Sequence, residues 1–144
     1  MSYADLRKGR FSAPGHEYLV TTVTNGRLPV FADFHCARAL VHALRDAGDA
    51  GMADWLAWVI MPDHFHALLT LGPRADLGSV MHLVKGRSAR HINARLGRRD
   101  RLWQPKFHDH ALRAEEDRAA VARYIVANPL RAGLVRRIGD YPHW

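Results

Sequence analysis

Two apolar runs joined by a Pro-Asp step constrain the fold of this chain most. The runs occupy residues 55–61 and 64–71, and Pro-Asp at 62–63 is typical of a turn between two strands. The second run begins with His64 and His66, which side-chain alternation in a strand places on one face. At this spacing, roughly 6–7 Å at the backbone, both imidazoles can converge on one divalent cation. The stretch therefore predicts a β-hairpin whose second strand starts with a histidine pair.

The opposite face of that strand is predicted to enter a core. The residues expected there are Phe65, Ala67, Leu69 and Leu71. The histidine spacing alone does not identify a metal site, because the chain has 10 histidines and a second His-x-His at His108 and His110.

The net charge is the most unusual property of the composition. The 144 residues carry a formal charge of +7 with a pI near 10.3, whereas 48% hydrophobic and 24% charged residues are ordinary globular values. The excess of positive charge favours a polyanionic partner, with nucleic acid ahead of membrane. The alternative is a basic protein that is merely soluble.

The length suits a single domain over residues 1–144. Residues 1–16 contain Arg7, Lys8 and Arg10 and predict a basic N-terminal arm, which either frays or contacts DNA. No apolar stretch reaches transmembrane length and no signal-peptide core is present, so we expect a cytoplasmic protein without membrane contact.

Cysteine usage agrees with a reducing compartment. Cys36 is the only cysteine, which excludes a disulfide framework and a cysteine zinc site. Its position in an apolar helical pattern predicts a buried structural thiol.

The patterning predicts the order strand, helix, strand, strand, helix, strand, helix. The predicted elements are a strand at 18–24, a helix capped by Asp33, strands at 55–61 and 64–71, a helix over 77–92, a short strand at 107–113, and a helix opened by the acids at 115–117. The nearly all-apolar run at 55–61 predicts a central strand covered on both faces. We expect an α+β, ferredoxin-like split βαβ fold, with helices packed on a central antiparallel sheet.

Tyr124 and Asn128 form a second candidate constellation near the end of the last helix, which Pro129 ends near Asn128. On one helix, residues four apart lie one above the other on the same face. The pair would present a hydroxyl nucleophile together with an amide oxygen ligand. The alternative is a core tyrosine with a hydrogen-bonded hydroxyl, beside an asparagine that only caps the helix.

Four blocks of the sequence resemble, in order and spacing, the REP-associated tyrosine transposases. These are single-tyrosine HUH transposases that act on single-stranded DNA. The blocks are MPDHFH at 61–66, KGRSARHIN at 85–93, LWQPKFHDHALR at 102–113 and YIVANPLRAGLV at 124–135.

The resemblance implies a role for each candidate residue. His64 and His66 match the HUH metal ligands, Tyr124 matches the nucleophile, and Asn128 matches the third, polar metal ligand. It also implies the HUH endonuclease fold. His108 and His110 match a block for which DNA contact or local structure is expected rather than metal binding.

The implied chemistry is nicking and rejoining of DNA. Two imidazoles and an amide oxygen make an open site suited to Mg²⁺ or Mn²⁺. Tyr124 would attack the scissile phosphate and form a 5′-phosphotyrosine, with no nucleotide cofactor. The rival interpretations are a non-catalytic nucleic-acid-binding module of the same fold, and a zinc hydrolase in which Tyr124 is a bystander.

The expected partner is single-stranded or hairpin DNA of the REP type, bound by a monomer. Unpaired bases beside the hairpin would supply sequence choice. The DNA-contact candidates are Arg7, Lys8, Arg10, Lys85, Arg87, Arg90, Lys106, His110, Arg113, Arg123 and Arg131.

Overall fold

The structure is a computed structural model that describes residues 13–113 and 118–143. Among these residues, the strands and α-helices follow the predicted order, with one further short α-helix after the last predicted helix. The bounds are β1 Glu17–Val23, α1 Phe34–Asp49, β2 Ala53–Met61, β3 His64–Leu71, α2 Leu77–Leu96, β4 His108–Ala111, α3 Arg118–Val126 and α4 Asn128–Arg131. The basic residues Arg7, Lys8 and Arg10 and the acids at 115–117 lie outside the described residues.

The strands of the described ranges form one antiparallel sheet in the order β2-β3-β1-β4. The predicted ferredoxin-like α+β architecture is thereby confirmed. Helices α1 and α2 cover one face of this sheet, and the predicted core side of β3 faces them. Its residues Phe65, Ala67, Leu69 and Leu71 are all buried.

Helix α3 covers part of the opposite face. Ile125 of α3 is buried against Val59 and Met61 of β2 and Leu68 of β3. Burial of a side chain of this size stabilises the fold by about 1.5–3 kcal/mol. This contact fixes α3 on the face of β3 that carries His64 and His66.

Helix α1 begins where the sequence predicts, with Asp33 as its N-cap. The Asp33 carboxylate accepts hydrogen bonds from the backbone N–H groups of His35 at 2.8 Å and Cys36 at 3.2 Å. Cys36 is buried, as its position in the apolar pattern predicts.

Strand β2 is an edge strand, so the prediction of a central strand was wrong. Its apolar character has another cause. The end of the strand is covered on both faces, with Ile60 in the core beneath α1 and α2, and Val59 and Met61 beneath α3. Leu56, nearer its start, is 36% exposed.

Within residues 13–113 and 118–143, no helix combines the length and the apolar character that a membrane crossing needs.

Candidate active site

His64 and His66 project from the start of β3 toward the face that α3 occupies. Their ring centroids are 4.7 Å apart and their planes meet at 81°. Strand alternation accounts for this placement, because Phe65 between them is fully buried on the other side. The pair is therefore preorganised by the sheet rather than by a loop.

The His64 ring is held by the residue before it. Its Nδ1 lies 2.7 Å from Asp63 Oδ1, and Asp63 Oδ2 accepts a hydrogen bond from Arg27 at 3.2 Å. Partial burial acts to raise the pKa of Asp63, but the hydrogen bond from His64 and the charges of His64 and Arg27 outweigh it and lower that pKa. A proton on Nδ1 leaves Nε2 as the free acceptor of His64.

The His66 ring is held by the neighbouring strand. Thr21 of β1 is the direct partner of His66 in the sheet, and its hydroxyl lies 2.8 Å from His66 Nδ1. Burial, then the nearby His64, then the charge of Arg131 lower the pKa of His66 to about 4. His66 is therefore neutral at pH 7, the form in which an imidazole binds a metal.

Sequence reasoning missed Asp63 and Thr21 as parts of the site. The Pro-Asp step indicates only a turn, although a carboxylate beside a ligating histidine is a common orienting partner. Thr21 lies 45 residues from His66, and only the strand register brings the two together.

Three of the four tyrosines lie in the described residues, and they differ in accessibility. Tyr18 is 1% exposed, and its hydroxyl oxygen accepts a hydrogen bond from Ala13 N at 2.8 Å. The Tyr141 hydroxyl donates to the carbonyl of Ile60, and burial raises the pKa of Tyr141 to about 12. Tyr124 is 60% exposed, so the alternative of a core tyrosine was wrong.

Asn128 begins α4 and does not share one continuous helix with Tyr124. Helix α3 ends at Val126, and Pro129 occupies the first turn of α4, where its missing N–H costs nothing. The predicted helix end near Asn128 is confirmed, but the two residues lie on successive helices.

The side chain of Asn128 suits a cation ligand. Its Nδ2 atom is buried and has no hydrogen-bond partner among the described residues. A half-turn about the last side-chain bond exchanges the amide nitrogen for the oxygen, so a ligating oxygen can occupy this buried position. Among residues 13–113 and 118–143, no three His, Cys, Asp or Glu side chains are grouped as a metal would require. The candidate ligand set remains the two imidazoles and one amide that the resemblance implies.

Arg131 connects the tyrosine with the histidine pair. Its guanidinium carbon lies 3.7 Å from the centroid of the Tyr124 ring, and its Nη2 donates to the Tyr124 carbonyl at 2.6 Å. The same charge contributes to the lowered pKa of His66. Tyr124 and His66 thus lie within the influence of one cation.

The second His-x-His reaches the same face of the sheet. Thr21 is the direct partner of both His66 on β3 and His108 on β4, so the three side chains form a row across the sheet. His110 lies two residues further along β4, beside Leu19. Both histidines of β4 are exposed.

The predicted DNA-contact residues differ in their contacts and exposure. On α2, away from the histidine pair, the Lys85 ammonium donates to the Gln104 carbonyl at 2.7 Å and Arg87 pairs with Asp46 at 2.9 Å. The arginines and lysines of the predicted set that the structure shows as exposed are Arg87, Arg90, Lys106, Arg113, Arg123 and Arg131.

Comparison with known proteins agrees with the resemblance carried by the four sequence blocks. The sequence profile of the family described as "Transposase IS200 like" matches residues 12–128. The REP-associated tyrosine transposase of Escherichia coli K12 is 32% identical over 88 residues, which cover 60% of this chain and 50% of that protein. A Haemophilus influenzae relative is 29% identical over 98 residues, which cover 61% of this chain and 56% of the relative. The chain therefore spans about half the length of these curated relatives.

A solved structure extends the similarity to the fold. The structure of a REP-associated tyrosine transposase bound to a REP hairpin superposes with a TM-score of 0.77 at 26% identity, covering 93% of this chain and 78% of that one. The resemblance inferred from the four sequence blocks is confirmed.

Proposed function

This chain belongs to the IS200-like transposase family, and we propose that it is a metal-dependent single-stranded DNA endonuclease and strand transferase. It would act at REP-type hairpins through a 5′-phosphotyrosine. The proposal rests on one observation above the others. Tyr124 is the exposed tyrosine of the described residues, and its helix packs on the sheet face that carries His64 and His66.

We assign the metal as Mg²⁺ or Mn²⁺, held by His64, His66 and the amide oxygen of Asn128. Three observations are consistent with this ligand set. His66 is neutral, and the Nδ1 of His64 is held by Asp63. The Nδ2 atom of Asn128 has no hydrogen-bond partner among the described residues. When bound, the cation acts as a Lewis acid on the scissile phosphate.

The chain supplies the nucleophile for a transesterification. The Tyr124 hydroxyl oxygen attacks phosphorus as the bond from phosphorus to the 3′ oxygen breaks. Tyr124 loses its proton and the 3′ oxygen gains one, which leaves a 5′-phosphotyrosine and a free 3′-OH. One phosphodiester bond is exchanged for another, so a second 3′-OH can rejoin the strand without ATP.

The DNA partner is proposed from charge and from similarity. The structural relative is bound to a REP hairpin, and this chain carries a net charge of +7. Arg123 and Arg131 are exposed beside Tyr124, and His110 is exposed on the same face of the sheet. Phosphate contacts from such residues would hold a strand across the site.

A nicking assay tests the proposed function. Labelled hairpin oligonucleotides with single-stranded flanks are incubated with Mn²⁺ and resolved on denaturing gels. We expect cleavage by the wild type, none after chelation, and none by Tyr124→Phe, which should still bind the hairpin. Binding without cleavage by the wild type would identify a non-catalytic module, and zinc-dependent cleavage by Tyr124→Phe would identify a zinc hydrolase.

The choice between the two His-x-His pairs is tested with the same assay and with calorimetry. His64→Ala or His66→Ala should abolish cleavage and Mn²⁺ binding. His108→Ala should leave Mn²⁺ affinity nearly unchanged, because His108 lies two strands away from His66. Equal loss of Mn²⁺ affinity in all three variants would mean that the ligand set is wrong.

A further inference from the structure

Arg131 makes two direct contacts with the residue proposed as nucleophile. Its guanidinium carbon lies 3.7 Å from the Tyr124 ring centroid, within the range of a cation–π interaction. Its Nη2 also donates to the Tyr124 carbonyl at 2.6 Å. The chain reaches this position because it turns after Val126 and α4 then returns Arg131 to the last turn of α3.

Arg131 brings a positive charge beside the Tyr124 ring. A guanidinium is charged at all accessible pH values and donates hydrogen bonds in a fixed planar fork that matches phosphate oxygens. Arg131 is itself exposed, so DNA can reach it.

Attack by Tyr124 can place the scissile phosphate beside this guanidinium. The Tyr124 hydroxyl lies one bond beyond the ring over which Arg131 sits. Reacting atoms in a productive complex are about 3–3.5 Å apart. A phosphate at that distance from the hydroxyl oxygen, on the side of the ring that faces Arg131, lies within reach of the guanidinium N–H groups.

We propose that Arg131 is a catalytic residue that holds the Tyr124 ring for attack and donates hydrogen bonds to a non-bridging oxygen of the scissile phosphate. This inference rests on the proposed function. The hydrogen bonds would stabilise the negative charge that gathers on the phosphate oxygens as the bond to Tyr124 forms and the bond to the 3′ oxygen breaks. Arg131 transfers no proton in this step. The competing interpretation is structural, in which Arg131 only ties α4 to α3.

The test compares Arg131→Gln and Arg131→Lys with Arg45→Gln, which removes the same charge from an exposed position of α1 on the opposite side of the sheet. Single-turnover cleavage at saturating hairpin DNA, hairpin affinity and thermal melting are measured for each. We expect Arg131→Gln to cleave about 100-fold more slowly, with affinity within about threefold of wild type and unchanged melting, and Arg131→Lys to be intermediate. Arg45→Gln should match the wild type.

Chemical rescue separates a charge role from a structural one. Added guanidinium ion should raise the cleavage rate of Arg131→Ala, whereas the same concentration of urea, which has a similar shape and no charge, should not. The inference is overturned if the cleavage rate of Arg131→Gln is within about threefold of that of Arg45→Gln. It is also overturned if the loss of cleavage rate is accompanied by a lowered melting temperature, or if guanidinium has no more effect on that rate than urea. If the wild type itself does not cleave, the proposed function fails, which is a distinct result.

Discussion

His64 and His66 are each held at one ring nitrogen before any ligand is present. Asp63 fixes His64 from the preceding position, and Thr21 fixes His66 from the next strand. Nε2 is then the nitrogen of each ring that remains available to a ligand, and the ring has little freedom to turn because its Nδ1 is held. Arg27 adds a second contact to Asp63 and extends this support away from the sheet.

The Asp63→Asn substitution tests whether the contact between Asp63 and the His64 ring strengthens metal binding. The substitution keeps the size of the side chain but removes the negative charge that favours a proton on His64 Nδ1. We expect Mn²⁺ affinity to fall by about 10–100-fold with little change in melting temperature. Calorimetric titration measures it, with Asp54→Asn at an exposed position of β2 as the control. Unchanged affinity would show that His64 needs no orienting carboxylate.

His143 gives a prediction for the pH dependence of stability. It is 7% exposed and its ring packs against Phe34 and Tyr141. Burial, then the nearby charge of Arg38, lowers its pKa below the ordinary value. The unfolded chain therefore binds a proton more readily, so stability is lost as pH falls below about 6.5 and is unaffected above it.

We expect His143→Phe to weaken this dependence. The substituted ring fits the same aromatic contacts and has no proton to bind. Urea unfolding at pH 7 and pH 5 should give a smaller loss of unfolding free energy for the variant than for the wild type. An equal loss in both proteins would exclude His143 as a source of the pH dependence.

Of the secondary-structure elements, the β2–β3 hairpin holds the histidine pair in place, because both histidines lie on β3. Where β3 ends, Gly72 donates its N–H to the Met52 carbonyl at 2.9 Å. A Cβ atom at Gly72 would lie 1.9 Å from the carbonyl oxygen of Gly51. The two backbones therefore pack closely at the open end of the hairpin, which is opposite the turn and the histidine pair.

Gly72→Ala and Gly86→Ala form a matched pair that tests this packing. The added methyl group at Gly72 would force the strands apart, so we expect a loss of about 1–3 kcal/mol or more of unfolding free energy. Gly86 lies within α2, where no described atom outside its own stretch of helix comes within 4 Å of an added Cβ, so alanine there should stabilise by about 0.5–1 kcal/mol. Chemical denaturation of both variants measures the difference. Equal effects would mean that helix propensity and strand packing do not explain these positions.

The elements also show what the sequence could predict. Alternation is local, so it correctly placed His64 and His66 on one face and Phe65 in the core. Strand order depends on contacts far apart in the chain, so an apolar run such as β2 did not reveal that it lies at an edge.

The same limit applies to the site. The row of His66, Thr21 and His108 requires the register of three strands, and no spacing within one segment encodes it. The return of Arg131 to Tyr124 requires the turn between α3 and α4. Sequence patterns identified the nucleophile and ligand candidates, but the side chains that orient them emerged only from the tertiary structure.

The whole molecule carries a net charge of +7, and hairpin affinity should fall as salt rises because phosphate contacts release counterions. Arg123 is exposed beside Tyr124, whereas Arg87 lies on α2, away from the histidine pair, and pairs with Asp46. We expect Arg123→Gln to flatten the plot of log affinity against log salt by about one unit, and Arg87→Gln to flatten it less. Fluorescence anisotropy across a salt series measures both slopes. An affinity independent of salt would contradict a phosphate-based interface.

Attack of the Tyr124 hydroxyl on DNA would leave the protein covalently attached to the strand. Mass spectrometry can detect this adduct after wild-type protein, Mn²⁺ and a hairpin substrate are mixed and denatured. We expect a 5′-phosphate linked to Tyr124, a free 3′-OH on the released strand, and no adduct with Tyr124→Phe. An adduct on Tyr18 or Tyr141, or full cleavage by Tyr124→Phe, would show that Tyr124 is not the nucleophile.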